Sequence, residues 1–253
     1  MEEFVRSVRG LKGYKIGGAK IKIVCYADET ALIAESEDDL QRLLHLFNLK
    51  AKSLNMEISP TKTKCLTTSK TPLRCKLELD RRVIEQKMKS NYLGVELSGF
   101  GDIEAEMRDQ TTKAIRIVGC LNAICCNKSM GTDAEPRIYK TVVRWVMRYT
   151  AETTPETTKT KILRETDVMK ILRRITGKTL LDREGSENVR IACNVKNINK
   201  WVANRKKEWN EHITRIDHRR LVRMARNKSP LGRRDVGRLR KRWSGSPTQG
   251  NDN

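Results

Sequence analysis

Short apolar segments separated by turn residues occupy the first part of the chain. They are Tyr14–Ile16, Ile21–Tyr26 and Thr30–Ala34. β-Branched and aromatic residues, which are frequent in these segments, favour strands, whereas the breaks at Gly17–Gly18 and Ala27–Glu29 favour tight turns. The pattern therefore predicts successive hairpins, with Asp28 and Glu29 at the tip of one of them.

A helix is predicted directly after these strands. Ser36 suits the N-cap position, and the acidic residues Glu37, Asp38 and Asp39 lie where the helix dipole favours negative charge. The apolar positions that follow recur with the helical period and are Leu40, Leu43, Leu44, Phe47, Ala51 and Leu54. This spacing predicts that one face packs on the sheet while the opposite face, which includes His45, lies in water.

Further strands are expected between the helix and residue 100. Lys64–Thr68 and Lys76–Leu79 have the composition of short strands, and Asn91–Leu97 has that of a strand or a hairpin ended by Gly99. The mixture of hairpins and one amphipathic helix places this part of the chain in the α+β class.

Beyond Asp102 the apolar residues follow a helical period. Four helices are predicted from their packed faces. The first face runs from Ile103 to Cys125, and the second, after Pro136, consists of Ile138, Val142, Val146 and Tyr149. The third, before Gly177, consists of Ile162, Met169, Leu172 and Ile175, and the fourth, after an Asn199 cap, of Val202, Trp209, Ile213 and Ile216.

The Thr- and Glu-rich segment Ala151–Lys159 is predicted as a linker. The polar sequence after Trp243 is predicted to be disordered.

The charge of the chain points to nucleic acid as a partner. Among 253 residues there are 52 Lys and Arg against 31 Asp and Glu, which gives a formal charge of +21. An acidic membrane surface would also attract such a chain, but no apolar run approaches the roughly 20 residues needed to span a bilayer. The first residues lack the features of a signal peptide, so we expect a nuclear or cytoplasmic protein that is neither secreted nor in a membrane.

The cysteines do not indicate a covalent partner. The seven cysteines contain no CxxC pair, so they are expected to be reduced thiols without a disulfide-linked partner.

Two tryptophans and a basic tail are candidate contacts for nucleic acid. Trp201 and Trp209 could stack on bases, although tryptophan at helical spacing more often belongs to a core. The basic tail offers candidate phosphate contacts, with a nuclear localisation signal and a solvated tail as open alternatives; its residues are Arg233, Arg234, Arg238, Arg240, Lys241 and Arg242.

Two acidic residues at a turn would by themselves indicate only an exposed turn, but an ordered series of motifs surrounds them. Tyr26–Glu29 resembles the Tyr-Ala-Asp-Asp box of reverse transcriptases, and Ala34–Leu40 resembles the start of the helix that follows it. Lys62–Lys64 is similar to the basic motif after that helix, and Tyr92–Val95 to the hairpin that grips the primer end.

The resemblance continues downstream. Arg137–Lys140, Tyr149–Glu152 and Gly237–Trp243 are similar to the tail of endonuclease-containing polymerases from non-LTR retrotransposons. It implies an α+β fold with a truncated polymerase palm, made of antiparallel hairpins plus a packed helix, followed by a mostly helical thumb-like region. The implied divisions are 1–100 for a partial palm, 101–150 for thumb-like helices, 151–225 for a C-terminal helical region and 226–253 for a basic, largely disordered tail.

The resemblance also implies a chemistry and its residues. The reaction is RNA-directed DNA synthesis, a nucleotidyl transfer that uses Mg²⁺ or Mn²⁺, with RNA and DNA as template and primer. Asp28 and Glu29 would be catalytic metal ligands and Lys62 a catalytic cation near the departing pyrophosphate. Tyr26, Tyr92, Leu93 and Gly94 would contact the primer.

Two departures from the family pattern lead us to expect a fragment that is inactive alone. Glu29 stands where the family has Asp, and the additional methylene displaces a carboxylate in a site with strict geometry. The other metal-binding Asp of the family lies on an earlier strand, upstream with the fingers, whereas only about 25 residues precede Tyr26 here. The alternative hypothesis is a basic nucleic-acid-binding remnant of the element without catalytic activity.

Overall fold

The α+β class predicted from the sequence is confirmed. A computed structural model describes residues 2–16, 19–69, 73–99, 101–120 and 134–227. These residues form two compact units. The first comprises the residues up to Asp102 together with 224–227, and the second runs from Ile103 to Arg223. All strands of the described part belong to the first unit, and the second unit is helical.

Two antiparallel hairpins begin the first unit. Their strands are β1 Tyr14–Ile16, β2 Ala19–Ile21, β3 Ile23–Tyr26 and β4 Glu29–Leu32. The segment predicted as one strand is divided at Lys22, whose ammonium group donates to the carbonyls of Val8 (3.0 Å) and Arg9. Burial, followed by the charge of Lys20, lowers the pKa of Lys22. Since a Cβ on Gly13 would lie 2.4 Å from the Ile21 carbonyl oxygen, glycine permits this close approach of the chain.

The long helix α2, Glu37–Ser53, begins where the sequence predicted. The Asp39 amide donates to the Ser36 hydroxyl at 3.2 Å, which confirms Ser36 as the N-cap. Leu43 and Leu44 are buried on the packed face, and His45 is exposed as expected. A short helix that the sequence analysis did not find, α1 at Glu2–Ser7, packs on α2 through Phe4 and Phe47, whose ring centroids are 4.6 Å apart.

The remaining strands of the first unit are short. They are β5 Lys64–Leu66, β6 Glu78–Leu79, β7 Arg82–Val83, β8 Glu85–Lys87, β9 Lys89–Tyr92 and β10 Val95–Ser98. β5 pairs with β8 in parallel, whereas β6–β7 and β9–β10 are antiparallel hairpins. Strands β7 and β8 were not predicted. Their polar side chains lack the alternation that marks a strand with one buried face.

The core of the first unit lies between α2 and these strands. Its buried members are Leu44, Cys65, Cys75, Leu77, Leu79 and Ile84, and Leu32 and Leu40 pack against them. Leu32 ends β4, so this core supports the hairpin that carries Asp28. None of the cysteines in the described residues forms a disulfide.

The second unit is built from helices. They are α3 Ile103–Cys120, α4 Ala134–Ile138, a π-helical turn Tyr139–Val143, α5 Arg144–Met147, α6 Thr158–Ile175, α7 Ser186–Ala192 and α8 Ile198–Arg215. A last helix, α9 at Leu221–Asn227, ends the described residues. No helix in the described ranges combines the length and apolar composition that a bilayer span requires.

The face predicted for the helix after Pro136 is wrong at two of its four positions, although Val146 packs against the core as expected. Val142 is 41% exposed and Tyr149 is 50% exposed, whereas Tyr139, Val143 and Met147 are buried. The amide of Arg144 bonds to the carbonyl of Tyr139, five residues earlier, so one turn is wider than an α-helical turn. This π turn aligns residues four apart on the buried face, and the apolar period alone did not reveal it.

Two further helix predictions need correction. Ile162 is exposed, although Met169 and Leu172 from the same predicted face are buried. The N-cap of α8 is Asn197 instead of Asn199, because the side-chain oxygen of Asn197 accepts from the amides of Asn199 (2.9 Å) and Lys200. Both asparagines suit a cap, so the sequence did not distinguish them.

The segment predicted as a linker, Ala151–Lys159, is held against the helices of the second unit. Lys206 donates to the Thr154 carbonyl at 2.6 Å, and Glu156 accepts from the guanidinium of Arg164, which is only 2% exposed. Burial by itself would raise the pKa of Glu156. The hydrogen bond and charge of Arg164, aided by Lys206 and Lys161, outweigh burial, and the pKa lies below its ordinary 4.5.

We predict that Glu156→Gln destabilises the second unit by roughly 2–4 kcal/mol at pH 7, because it leaves the buried Arg164 without its counter-charge. A carboxylate with a lowered folded-state pKa adds stability above its unfolded pKa of about 4.5, and this stability is lost as the pH falls through the folded value. Urea unfolding followed by tryptophan fluorescence reports on this unit, which contains Trp145, Trp201 and Trp209.

The matched control is Glu187→Gln, whose carboxylate pairs with Arg190 at a site that is 75% exposed. A change below about 0.5 kcal/mol is expected for it. Parallel stability-against-pH curves for the wild type and Glu156→Gln between roughly pH 5 and 3 would show that the pair does not behave as described.

Candidate active site

The β3–β4 hairpin ends in a two-residue turn that presents Asp28 to solvent. Tyr26 and Glu29 are the last paired residues of the ladder, and Ala27 and Asp28 form the turn. All four residues are exposed. The prediction that Asp28 lies at a hairpin tip is therefore confirmed, and Glu29 begins the returning strand.

The backbone of this turn is strained at Ala27. Its φ angle is +49°, in the left-handed region that costs a residue with a Cβ about 1–2 kcal/mol. Asp28 keeps a negative φ, and a positive φ at only the first central residue is the pattern of a type II′ turn, which prefers glycine there. The surrounding hairpin thus holds Asp28 in a fixed, sharply turned position.

A second hairpin, β9–β10, lies beside the first. Its two-residue turn is Leu93–Gly94, with φ angles of +50° and +77°, the pattern of a type I′ turn. The Tyr92 hydroxyl donates to the Val24 carbonyl in β3 at 3.4 Å. Burial raises the pKa of Tyr92, and the neighbouring Cys25 and Glu29 raise it further.

The two turns are joined by a hydrogen bond. The Leu93 amide donates to Oε2 of Glu29 at 3.1 Å, across 64 positions of sequence. Glu29 therefore has a structural role that the sequence analysis did not find. The longer reach of Glu compared with the Asp of the family motif was the available signal, but its target could not be known without the fold.

Lys62 lies in the exposed turn that precedes β5. It makes no ion pair with any residue in the described ranges, unlike Lys64, whose ammonium group lies 2.7 Å from Glu85 across the parallel β5–β8 pair. The ammonium groups of Lys64 and Lys87 lower the pKa of Glu85 to about 2. Lys62 is thus available to bind an anion, whereas the neighbouring Lys64 is occupied by a structural contact.

The carboxylates of Asp28 and Glu29 could bind a metal ion only together with further ligands. Within the described ranges, no three His, Cys, Asp or Glu residues form a group that could hold a metal ion. Asp28 offers oxygen ligands of the kind that Mg²⁺ prefers, whereas Glu29 already accepts the Leu93 amide. The described residues by themselves do not form the ligand set of a two-metal centre.

A comparison with known families gives a match for this part of the chain. Residues 1–97 match the model of the reverse transcriptase (RNA-dependent DNA polymerase) family. The matched segment contains the Asp28 turn, Lys62 and the Tyr92–Gly94 hairpin. Reverse transcriptases generally use a divalent metal. A comparison with curated proteins gives no match.

The structure brings together two groups of the residues that the sequence analysis selected, the Tyr26–Glu29 turn and the Tyr92–Gly94 hairpin. Among the described residues, no hydrogen bond or ion pair joins Lys62 to either of them. The predicted nucleic-acid contacts of the tail lie outside the described residues; they are Arg233, Arg234, Arg238, Arg240, Lys241 and Arg242.

We predict that Ala27→Gly raises the free energy of unfolding by roughly 0.5–1 kcal/mol, because glycine adopts a positive φ without steric cost. The control is Ala31→Gly, which lies in β4 and has a negative φ, and which should lower stability by roughly 0.5–1 kcal/mol. Urea unfolding followed by circular dichroism compares the variants. Equal destabilisation by both substitutions would refute the strained turn.

Proposed function

We propose that this chain carries the catalytic-turn portion of an RNA-directed DNA polymerase from a non-LTR retrotransposon. The observation that supports this most is the bond between Glu29 and the Leu93 amide, which joins the exposed Asp28 turn to the hairpin expected to grip the primer. The downstream resemblance of Arg137–Lys140 and Gly237–Trp243 to the tails of non-LTR elements supports the finer assignment.

Within this proposal each residue has a distinct role. Asp28 contributes a carboxylate to a divalent-metal site, and the bound metal supplies charge neutralisation at the reacting phosphate. Tyr26 and the Tyr92–Gly94 hairpin contact the primer end, where exposed rings and backbone amides can pack on a sugar and a base. Lys62, an exposed cation without an ion pair among the described residues, attracts the pyrophosphate. Glu29 positions the primer hairpin relative to Asp28.

The proposal keeps the domain divisions expected from the sequence. Residues 1–100 act as a partial palm, 101–150 as thumb-like helices, 151–225 as a C-terminal helical region and 226–253 as a basic tail. Template RNA and primer DNA are the partners, and the place of action is the nucleus or the cytoplasm.

We predict that a primer with a photoreactive thymidine at its 3′ end, annealed to an RNA template, crosslinks to the peptide that contains Tyr92–Gly94. Glu29→Ala should reduce this adduct several-fold, because it removes the acceptor that holds the Leu93 amide. Glu96→Ala, which removes an ion pair with Lys89 in the same hairpin, is the control and should retain the adduct. Mass spectrometry of the digested adduct identifies the peptide.

The primer-binding role of the hairpin would be contradicted if the adducts lay only in residues 134–227 and Glu29→Ala did not change them. The proposal of a polymerase origin would then depend on the family match alone.

We predict that the chain by itself extends an RNA-templated DNA primer no further than Asp28→Ala does, with Mg²⁺ or Mn²⁺. The reason is that the described residues do not provide a complete set of metal ligands. Asp38→Ala, which changes another exposed carboxylate at the start of α2, is the control for a nonspecific effect of charge. Incorporation that requires Asp28 but not Asp38 would contradict the incomplete site and show a self-sufficient polymerase.

The second candidate function is nucleic-acid binding without catalysis. The excess of positive charge favours it, because residues 134–227 carry 23 Lys and Arg against 11 Asp and Glu, whereas residues 1–102 carry 18 against 14. Binding of this kind weakens as salt rises, because bound phosphates release counterions, and it does not depend on Asp28. Titration with duplex and single-stranded oligonucleotides at several salt concentrations, for the wild type and Asp28→Ala, separates the two candidates.

A further inference from the structure

Two tryptophans and two arginines form a stacked cluster in the second unit, here called the tryptophan–arginine cluster. Trp145 from α5 meets Trp201 from α8 edge to face, with ring centroids 5.4 Å apart and planes at 83°. The guanidinium of Arg144 lies 4.9 Å from the centroid of Trp201, and that of Arg205 lies 5.3 Å from the centroid of Trp145. Each aromatic ring thus has a cationic neighbour.

The two tryptophans differ in their exposure to solvent. Trp201 is partly buried and packs against the core of the second unit, so its position is fixed by the fold. Trp145 is 46% exposed, which leaves a large part of its ring in water. A tryptophan that served only to join α5 to α8 would not need to leave this much aromatic surface open.

The two arginines also differ in their partners. Arg205 is held by carboxylates, with Glu208 at 2.9 Å and Glu152 at 3.4 Å, so it is fixed over Trp145. The guanidinium of Arg144 makes no ion pair or hydrogen bond with any residue in the described ranges, and its Nε is buried without an acceptor. Its guanidinium is therefore available for an anion next to the exposed ring.

The charge of residues 134–227, which include most of the second unit, indicates which kind of ligand the cluster would bind. Residues 134–227 hold twelve more basic than acidic residues, as the counts of 23 and 11 show. A ligand that brings negative charge together with flat aromatic groups complements both features. Single-stranded nucleic acid has this chemistry, whereas the bases of a duplex are already stacked on one another and present no open faces.

We infer that the tryptophan–arginine cluster is a binding site for single-stranded nucleic acid. One base stacks on the exposed ring of Trp145, and the adjoining phosphate pairs with Arg144. Arg205 and Trp201 hold the Trp145 ring in place. The inference rests on the proposed nucleic-acid function, adds a site in the second unit and is independent of the Asp28 turn.

The test measures binding of labelled dT12 and rU12 to the full chain by fluorescence anisotropy between roughly 50 and 200 mM salt. Trp145→Ala should weaken binding by roughly 5- to 150-fold, the range expected for loss of one stacked base, with an unchanged slope against salt. Arg144→Met should weaken binding and reduce the slope of log affinity against log salt by about 0.7, the value for one phosphate of a single strand.

Trp209→Ala is the matched control. Trp209 lies on α8 and packs on His212 with centroids 5.7 Å apart, and no arginine of the described ranges lies over its ring. It should change affinity less than twofold. Trp145→Phe preserves an aromatic face and should bind nearly as the wild type does, while dT12 quenches less of its tryptophan fluorescence. This variant keeps the test valid if Trp145→Ala does not fold.

Three results decide the inference. Wild-type affinity in Trp145→Ala, with normal salt dependence, would overturn the cluster as a binding site and leave the proposed function intact. Equal wild-type affinity for a 12-base-pair duplex would also overturn it. Absence of any binding by the wild type at low salt would contradict both the cluster and the proposed nucleic-acid function.

Discussion

The hydrogen bond between the Leu93 amide and the Glu29 carboxylate is the constraint on which the candidate site depends. Asp28 and the Leu93–Gly94 turn belong to different hairpins; Asp28 and Gly94 are exposed, and Leu93 is half-buried. An exposed turn has few contacts to fix its position, so a specific link between two hairpins helps to keep their turns together. Glu29 provides that link one residue away from Asp28, and Tyr92 adds a second contact through the carbonyl of Val24.

This arrangement gives a physical reason for a glutamate at the position where the Tyr-Ala-Asp-Asp box that Tyr26–Glu29 resembles has an aspartate. The additional methylene group displaces the carboxylate from the tip of the turn, and here that carboxylate reaches a backbone amide of the neighbouring hairpin. One acidic residue of the pair is therefore used to hold the site together. Asp28 remains as the acidic side chain at the tip. The positive φ of Ala27 makes the sharp turn that presents Asp28, and Leu32 anchors the same hairpin on the core.

The local features of the first unit could be predicted from the sequence because they depend on neighbouring residues. β-Branched residues around Asp28 and Glu29 predicted the hairpin, and Ser36 with its acidic successors predicted the start of α2. Contacts between distant segments could not be predicted in this way, and the bond from Glu29 to Leu93 and the parallel β5–β8 pair are both of that kind. In the second unit the π turn at Tyr139–Val143 moved the buried face, which a regular helical period cannot show.

The hydrogen-exchange rate of the Leu93 amide shows whether Glu29 holds the β9–β10 hairpin against the Asp28 turn. Glu29 accepts from this amide in an exposed hydrogen bond, so loss of the acceptor should raise the exchange rate of the amide. We expect slow exchange in the wild type and at least a tenfold increase in Glu29→Ala, with no change in Glu96→Ala. Fast exchange of the Leu93 amide in the wild type would contradict this role of Glu29.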